Sequence, residues 1–116
     1  MRAAAAARAT IALRIVGARE SKKLNKKYRV KNQATNVLSF PYGGGSGDVV
    51  LCHPVISRES RQQGKSLRAH YAHLVVHGVL HLRGYEHDDK ASARRMEARE
   101  MRVLRRLGFA DPYTVE

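Results

Sequence analysis

Three histidines are spaced so that they could bind one metal ion. His77 and His81 are four residues apart, so on a helix their rings project from the same face, one turn apart. Gly84 accepts the left-handed backbone conformation that ends many helices, and a chain reversal there could bring His87 to the same point. Imidazole nitrogens favour zinc or a similar late transition metal over magnesium and calcium, which prefer oxygen. The sequence therefore predicts one zinc ion per chain, bound by these three histidines, with water in the remaining position as in catalytic zinc sites.

Two more histidines in the same segment also have to be considered as ligands. His70 and His73 lie on nearly the same helical face as the first two histidines. A straight column of three side chains cannot converge on one ion, because a helical turn rises about 5.4 Å whereas zinc lies about 2.0 to 2.1 Å from each nitrogen. The reversal at Gly84 therefore favours the three ligands named above. We expect His73 to lie beside the metal ligands or to contact substrate, and His70 to be solvated.

The residue after the first histidine separates two kinds of zinc site. The spacing H-x-x-x-H-x-x-G-x-x-H is that of metzincin proteases, which carry Glu directly after the first histidine as the general base of peptide hydrolysis. This chain has Gly78 at that position. A zinc peptidase would need another base and is therefore the less favoured hypothesis.

The charge of the chain indicates a polyanionic partner. The 116 residues include 22 Lys and Arg against 10 Asp and Glu, which gives a formal net charge of +12. Such an excess suits the phosphates of nucleic acid. A solvated charged surface is the alternative interpretation for the basic residues of the last helical segment, which are Arg94, Arg95, Arg99, Arg102, Arg105 and Arg106. The length predicts a single domain over residues 1–116.

The cysteine content and the apolar runs indicate where the protein resides. A single cysteine, Cys52, excludes an intramolecular disulfide and gives no sign of an oxidising compartment. We expect Cys52 to pack in a strand and the following His53 to be structural. The alanine-rich start is interrupted by Arg8, which is not typical of a signal peptide, and no run approaches the length of a membrane span. The default expectation is a cytoplasmic protein with no membrane partner.

The remaining sequence predicts strands and helices around the histidine segment. Runs of β-branched and aliphatic residues predict strands over Thr10–Val16, Asn36–Phe40 and Asp48–Cys52. The last two flank the glycine-rich segment 43–47 and are expected to form an antiparallel hairpin. Helices are expected over Glu20–Tyr28, over Ser57–Gln63, from the N-cap Ser66 to about Leu82, and after Asp88 and Asp89 up to Gly108. The residues of the last helix expected to face inward are Met96, Val103, Leu104 and Leu107.

Several separate blocks of this sequence resemble the YbeY family of bacterial rRNA maturation factors, which are single-strand endoribonucleases. The resemblance covers most of the chain, with the blocks in the order typical of the family. They are Leu24-Asn25, Tyr28-Arg29, the segment 35–41 (TNVLSFP), Gly47-Asp48-Val49-Val50, the histidine segment 77–87, Met96-Glu97 and Pro112-Tyr113. Glycine after the first histidine is part of the family motif.

The resemblance implies an α/β (α+β) fold, in which helices surround a small mixed sheet and the metal site lies on the central helix and the following turn. It implies that Arg29 is catalytic, and a guanidinium near a metal could hold a phosphate through two hydrogen bonds. Ser39, His73 and Glu86 are candidates for contacts around the metal or the substrate. The chain departs from the family in having Glu86 where Asp is usual, and in lacking most of the strand and helix expected before Thr10.

The expected function is that of a zinc-dependent endoribonuclease of single-stranded RNA, acting in 3′-end maturation of the small-subunit (16S) rRNA and in ribosome quality control. Zinc would activate water or polarise a phosphoryl oxygen. The expected partners are single-stranded RNA and rRNA, together with the small ribosomal subunit and its assembly factors. The alternative is a non-catalytic assembly factor that binds rRNA and whose metal is structural.

Overall fold

The computed structural model of the protein describes residues 9–29, 35–110 and 112, without the side chains of residues 28 and 29. The described chain contains three strands and four helices. They are β1 (Ile11–Val16), α1 (Ala18–Arg29), β2 (Val37–Gly43), β3 (Ser46–Cys52), α2 (His53–Gln63), α3 (Leu67–Leu82) and α4 (Lys90–Arg106). No helix among the described residues is long and apolar enough to cross a membrane.

The three strands form one mixed sheet in the order β1-β3-β2, so the fold class expected from the sequence is confirmed. The central strand β3 runs parallel to β1 and antiparallel to β2, with Val49 opposite Ser39. The β2–β3 hairpin is tighter than expected, because the strands continue into the glycine-rich segment and leave only two residues between them. Those residues, Gly44 and Gly45, both have positive φ (63° and 84°), which suits the twist of a two-residue hairpin and favours glycine.

Side chains of β3 alternate between two cores, one on each face of the sheet. On one face Val50 and Cys52 pack with Leu24 of α1, which confirms that Cys52 is buried in a strand. On the other face Val49 and Leu51 pack with residues of α3. The opposite side of α3 contacts α4 in a third cluster, which comprises Val76, Leu80, Met96 and Leu104. Helix α3 is therefore covered by the sheet on one side and by α4 on the other.

The N-terminal ends of α3 and α4 are fixed by side-chain caps. Ser66 accepts a hydrogen bond from the backbone N–H of Ala69 at 3.0 Å, which confirms the predicted N-cap. Asp89 accepts one from the backbone N–H of Ser92 at 2.8 Å and begins α4. Each cap satisfies a backbone N–H that the first turn of a helix leaves without an intrahelical partner.

Helix α2 is longer than predicted, since it begins at His53 rather than Ser57 and follows β3 directly. Pro54 occupies its first turn, where proline needs no backbone N–H and where its fixed φ suits the helix. His53 is exposed, and its Nδ1 lies 2.7 Å from the hydroxyl of Tyr71. This contact links the start of α2 to α3.

Two predictions about burial were wrong. His70, expected to be solvated, is 3% exposed, and its Nε2 lies 2.8 Å from Oε1 of Glu59, because α2 packs beside α3 and brings Glu59 to it. Leu107, expected to face inward, is 60% exposed, because α4 ends at Arg106. The chain reverses at Gly108, and Phe109 packs against the core cluster between α3 and α4 instead.

Candidate metal centre and cleft

The structure brings the three histidines of the predicted metal site together. His77 and His81 are adjacent on α3, with ring centroids 4.7 Å apart. Gly84 has a φ of 96°, and the chain turns back so that the ring of His87 lies 5.4 Å from His77 and 4.8 Å from His81. One ring nitrogen of each histidine lies within 4.8 Å of the other two. This group could hold a metal ion.

Hydrogen bonds to Nδ1 orient two of these rings. His81 Nδ1 lies 2.9 Å from the backbone oxygen of Tyr85, and His77 Nδ1 lies 2.5 Å from Oε2 of Glu100. A carbonyl and a carboxylate can only accept a hydrogen bond, so each Nδ1 carries a proton, and in the neutral ring Nε2 is the atom with the lone pair. Metal-binding histidines are oriented in this way. The donor set therefore fits a late transition metal such as zinc.

The surroundings of His81 also favour its metal-binding form. Burial lowers the pKa of His81, and the nearby His77 and His87 lower it further, while the hydrogen bond to Tyr85 and the charge of Glu86 act in the opposite direction. A lowered pKa means that the neutral imidazole persists to a lower pH than in an ordinary histidine. Only the neutral ring offers a lone pair to a metal.

The histidines line a cleft of about 470 Å³ at the outer edge of β2. Polar uncharged side chains from α1 and from the start of β2 form the opposite wall, with Asn25 buried to 3% exposure. The described lining consists of Asn25, Thr35, Asn36, Val37, Leu38, Ser39, Pro41, His77, His81, Glu86, His87 and Asp88. The cleft therefore lies where one edge of the sheet meets the end of α3.

Alternate backbone groups of β2 point away from β3, toward the outer edge of the sheet. The N–H of Cys52 donates to the backbone oxygen of Asn36 at 2.9 Å, and residues two apart in an antiparallel strand share the same direction. Val37, Ser39 and Pro41 therefore direct their backbone groups away from β3. Pro41 fits this register, since proline is tolerated where the backbone N–H would face away from the ladder. The N–H groups of Val37 and Ser39 thus face the outer edge of β2, and both residues line the cleft.

Gly78 lies at a close contact between α3 and the sheet. A Cβ placed there would lie 2.7 Å from Cγ1 of Val49 and 3.2 Å from Oγ of Ser39. The hydroxyl of Ser39 donates to the backbone oxygen of Gly78 at 3.1 Å. A side chain at this position would therefore point into the sheet rather than toward the histidines. The close contact between helix and sheet therefore favours glycine at the position where a metzincin has its base.

The other predicted site residues occupy different positions. Ser39 and Glu86 line the cleft, and Glu86 is exposed. His73 does not line it but lies behind His77, with Nε2 3.3 Å from Oε1 of Glu100. Arg29 is the last residue of α1, and its side chain lies outside the described residues. The role predicted for Arg29 stays a prediction.

Glu100 was missed by the sequence analysis, although it contacts a predicted metal ligand and is 0% exposed. A signal was present in the sequence. Met96, Glu100 and Leu104 are spaced four apart, so an acidic residue lies within the apolar face of α4. The partner of this carboxylate could not be identified from the spacing, because it lies on another helix.

Comparison with known sequences identifies the family. The family profile described as Endoribonuclease YbeY matches residues 2–108. The chain belongs to the YbeY endoribonuclease family. Proteins named Endoribonuclease YbeY include one from Methylibium petroleiphilum, 53% identical over 97% of this chain and 78% of the relative. One from Nitrosomonas eutropha is 53% identical over 93% of this chain and 79% of the relative.

A solved structure shows the same fold. The solution structure of TM1509 from Thermotoga maritima matches with a TM-score of 0.55 over 90% of this chain and 78% of that chain. The two sequences are 23% identical, so this likeness bears on the fold alone. The family resemblance read from the sequence blocks is confirmed, and the relatives carry the name of an RNA-cleaving hydrolase.

Proposed function

We propose that this protein is a zinc-dependent endoribonuclease that hydrolyses phosphodiester bonds of single-stranded RNA. The observation that carries the proposal is the convergence of His77, His81 and His87 on the wall of an open cleft, with Nδ1 of two rings already bonded. The net charge of +12 suits a polyanionic substrate, and the relatives are named endoribonucleases. The three histidines would hold the zinc ion, one per chain.

Zinc, when bound, would supply Lewis acidity for hydrolysis of the phosphodiester. The backbone N–H groups of Val37 and Ser39, which face away from β3, would donate to the non-bridging phosphate oxygens, since backbone N–H groups are common phosphate contacts. Arg29 would add a charge-assisted bond to the same group. Glu86 is a better-placed candidate base than His73, because Glu86 lines the cleft and His73 does not. No step requires a base at Gly78.

Charge around the cleft supports binding of the RNA chain beyond the scissile bond. The described part of the lining contains no lysine or arginine, whereas Glu86 and Asp88 are acidic. Helix α1, which supplies Asn25 to the cleft, carries four exposed lysines. These are Lys22, Lys23, Lys26 and Lys27. We infer that the flanking phosphates are bound along α1, while the neutral wall of the cleft receives the nucleotide that is cleaved.

Family membership supports a cellular role in 3′-end maturation of the small-subunit rRNA and in ribosome quality control. The small ribosomal subunit and its assembly factors would then be the partners, in the cytoplasm, with residues 1–116 acting as a single domain. A non-catalytic assembly factor with a structural metal is the rival hypothesis. The exposed position of His87 at an open cleft favours catalysis, since structural zinc sites are usually closed by four protein ligands.

The proposal is tested by cleavage of a labelled single-stranded RNA with purified protein whose zinc content has been measured. We expect wild type to cleave RNA, and His81→Ala and Arg29→Ala to lose at least 100-fold in rate, within the range of removing one electrostatic contact to a transition state. His53→Ala and Arg58→Ala are matched controls, because both residues are exposed on α2 and neither lines the cleft.

Two results would overturn the proposal. Equal trace cleavage by wild type, His81→Ala and Arg29→Ala would indicate a contaminating nuclease and favour the assembly factor. Zinc-dependent cleavage of casein without cleavage of RNA would favour a peptidase. A double-stranded RNA of the same sequence tests strand specificity in the same assay.

A further inference from the structure

Glu100 lies in the core of the protein between two histidines of the neighbouring helix. Its carboxylate is 0% exposed, with Oε2 2.5 Å from Nδ1 of His77 and Oε1 3.3 Å from Nε2 of His73. The residues one turn before and after it on α4, Met96 and Leu104, are apolar and 1% exposed. The carboxylate therefore interrupts an apolar contact between α3 and α4.

A carboxylate in this position is costly for folding. A buried charge loses its hydration, and an apolar side chain of similar size between Met96 and Leu104 would avoid that loss. The same low-dielectric surroundings strengthen the interaction of the carboxylate with an imidazole N–H. Glu100 is thus better suited to act on His77 than to stabilise the packing of α4.

We infer that Glu100 is a positioning residue that holds His77 ready to bind metal. The inference rests on the proposed metal site and deepens it. The carboxylate accepts the Nδ1 proton of His77, which fixes the ring orientation and leaves Nε2 facing the other two histidines. A negative charge behind the ring also makes Nε2 a stronger donor to a cation. Helix α4 is therefore part of the metal centre, although none of its residues lines the cleft.

The same helix α3 contains a matched control pair. His70, which is buried, and Glu59, which is partly exposed, form a second histidine–carboxylate contact, with Nε2 2.8 Å from Oε1. His70 lies seven residues before His77 and is not one of the three converging histidines. Loss of Glu59 and loss of Glu100 both remove a carboxylate from a histidine of α3. Only the loss of Glu100 should change metal binding.

The test measures zinc affinity by competition with a chromophoric chelator, and urea unfolding of each metal-free variant. We expect Glu100→Ala to weaken zinc binding by about 10- to 100-fold, the range typical of removing the acceptor behind a metal-binding histidine. Glu100→Gln should recover part of the loss, because its amide oxygen can still accept the Nδ1 proton. Glu59→Ala should stay within about twofold of wild type, since it touches none of the three ligands. With cobalt bound in place of zinc, the visible absorption spectrum of the metal should change in the Glu100 variants and not in Glu59→Ala.

Unchanged zinc affinity in Glu100→Ala, or an equal loss in Glu59→Ala, would overturn the inference. A second measurement uses the metal-free wild type and therefore does not depend on whether any variant folds. Long-range ¹H–¹⁵N NMR of the neutral ring should find the proton of His77 on Nδ1, and a proton on Nε2 in place of Nδ1 would equally overturn the inference. Neither measurement involves RNA, so failure here is distinguishable from failure of the proposed nuclease activity.

Discussion

Replacing Gly78 with alanine tests the contact that separates this metal site from that of a protease. The added Cβ would lie 2.7 Å and 3.2 Å from the two methyl carbons of Val49 and 3.2 Å from Oγ of Ser39. Val49 is 0% exposed on the central strand, which is paired on both sides, so it cannot move away freely. Relief of the contact therefore requires α3 to move away from the sheet.

The size of the effect follows from these distances. Carbon atoms pack at about 3.5 to 4.0 Å, so α3 would have to shift by roughly 1 Å. Overpacking of a core typically costs about 1 to 3 kcal/mol. The bond from Ser39 to the backbone oxygen of Gly78 would also weaken, at about 1 kcal/mol. Alanine regains about 1 kcal/mol through its higher helix propensity. We expect a net loss of about 2 kcal/mol, by the same overpacking estimate.

Urea unfolding of the metal-free protein measures this loss, and Val49→Ala provides the control. The double variant removes both obstructing methyl groups. The loss in free energy of unfolding of the double variant, Gly78→Ala with Val49→Ala, should therefore be smaller than the summed losses of the two single variants by at least about 1 kcal/mol. If Gly78→Ala is as stable as wild type, or if the double variant shows no coupling to Val49, the reasoning from helix–sheet contact is wrong. In that case glycine would have to be explained by the chemistry of the site alone.

Three further predictions concern the caps and the metal. Ser66→Ala should lower the free energy of unfolding by about 1 kcal/mol, measured by urea denaturation, because it removes the cap of α3. The hydrogen bond from the backbone N–H of Ser92 lowers the pKa of Asp89 below its ordinary 3.8. The contribution of the Asp89 carboxylate to stability should be complete at pH values above 3.8. It should be lost as the pH falls through the lower pKa that Asp89 has in the folded protein. In Asp89→Asn, which keeps a cap but does not titrate, the urea midpoint should therefore depend less on pH below about pH 4. Zinc at 100 times its dissociation constant should stabilise wild type by about 2.7 kcal/mol in thermal unfolding, and the same zinc concentration should stabilise His87→Ala much less.

Local patterns predicted most of the elements around the site. The spacing of His77 and His81, the reversal at Gly84 and the N-cap Ser66 each depend on interactions within a few residues, and the structure has them as expected. The sequence blocks that resemble the family implied a mixed sheet surrounded by helices, which the structure confirms. The start of α2 was misplaced, because a helix that follows a strand without a linker leaves no break in the apolar pattern.

The sequence by itself determined which three histidines can converge, because helical spacing and one glycine are local properties. Only the tertiary structure decided what lies behind them. Glu100 reaches His77, and Glu59 reaches His70, through the packing of separate helices against α3. The need for glycine at position 78 depends on Val49 of a strand about thirty residues earlier, at the distances of close packing. Such contacts join residues far apart in sequence, so the residue pattern of a single helix does not predict them.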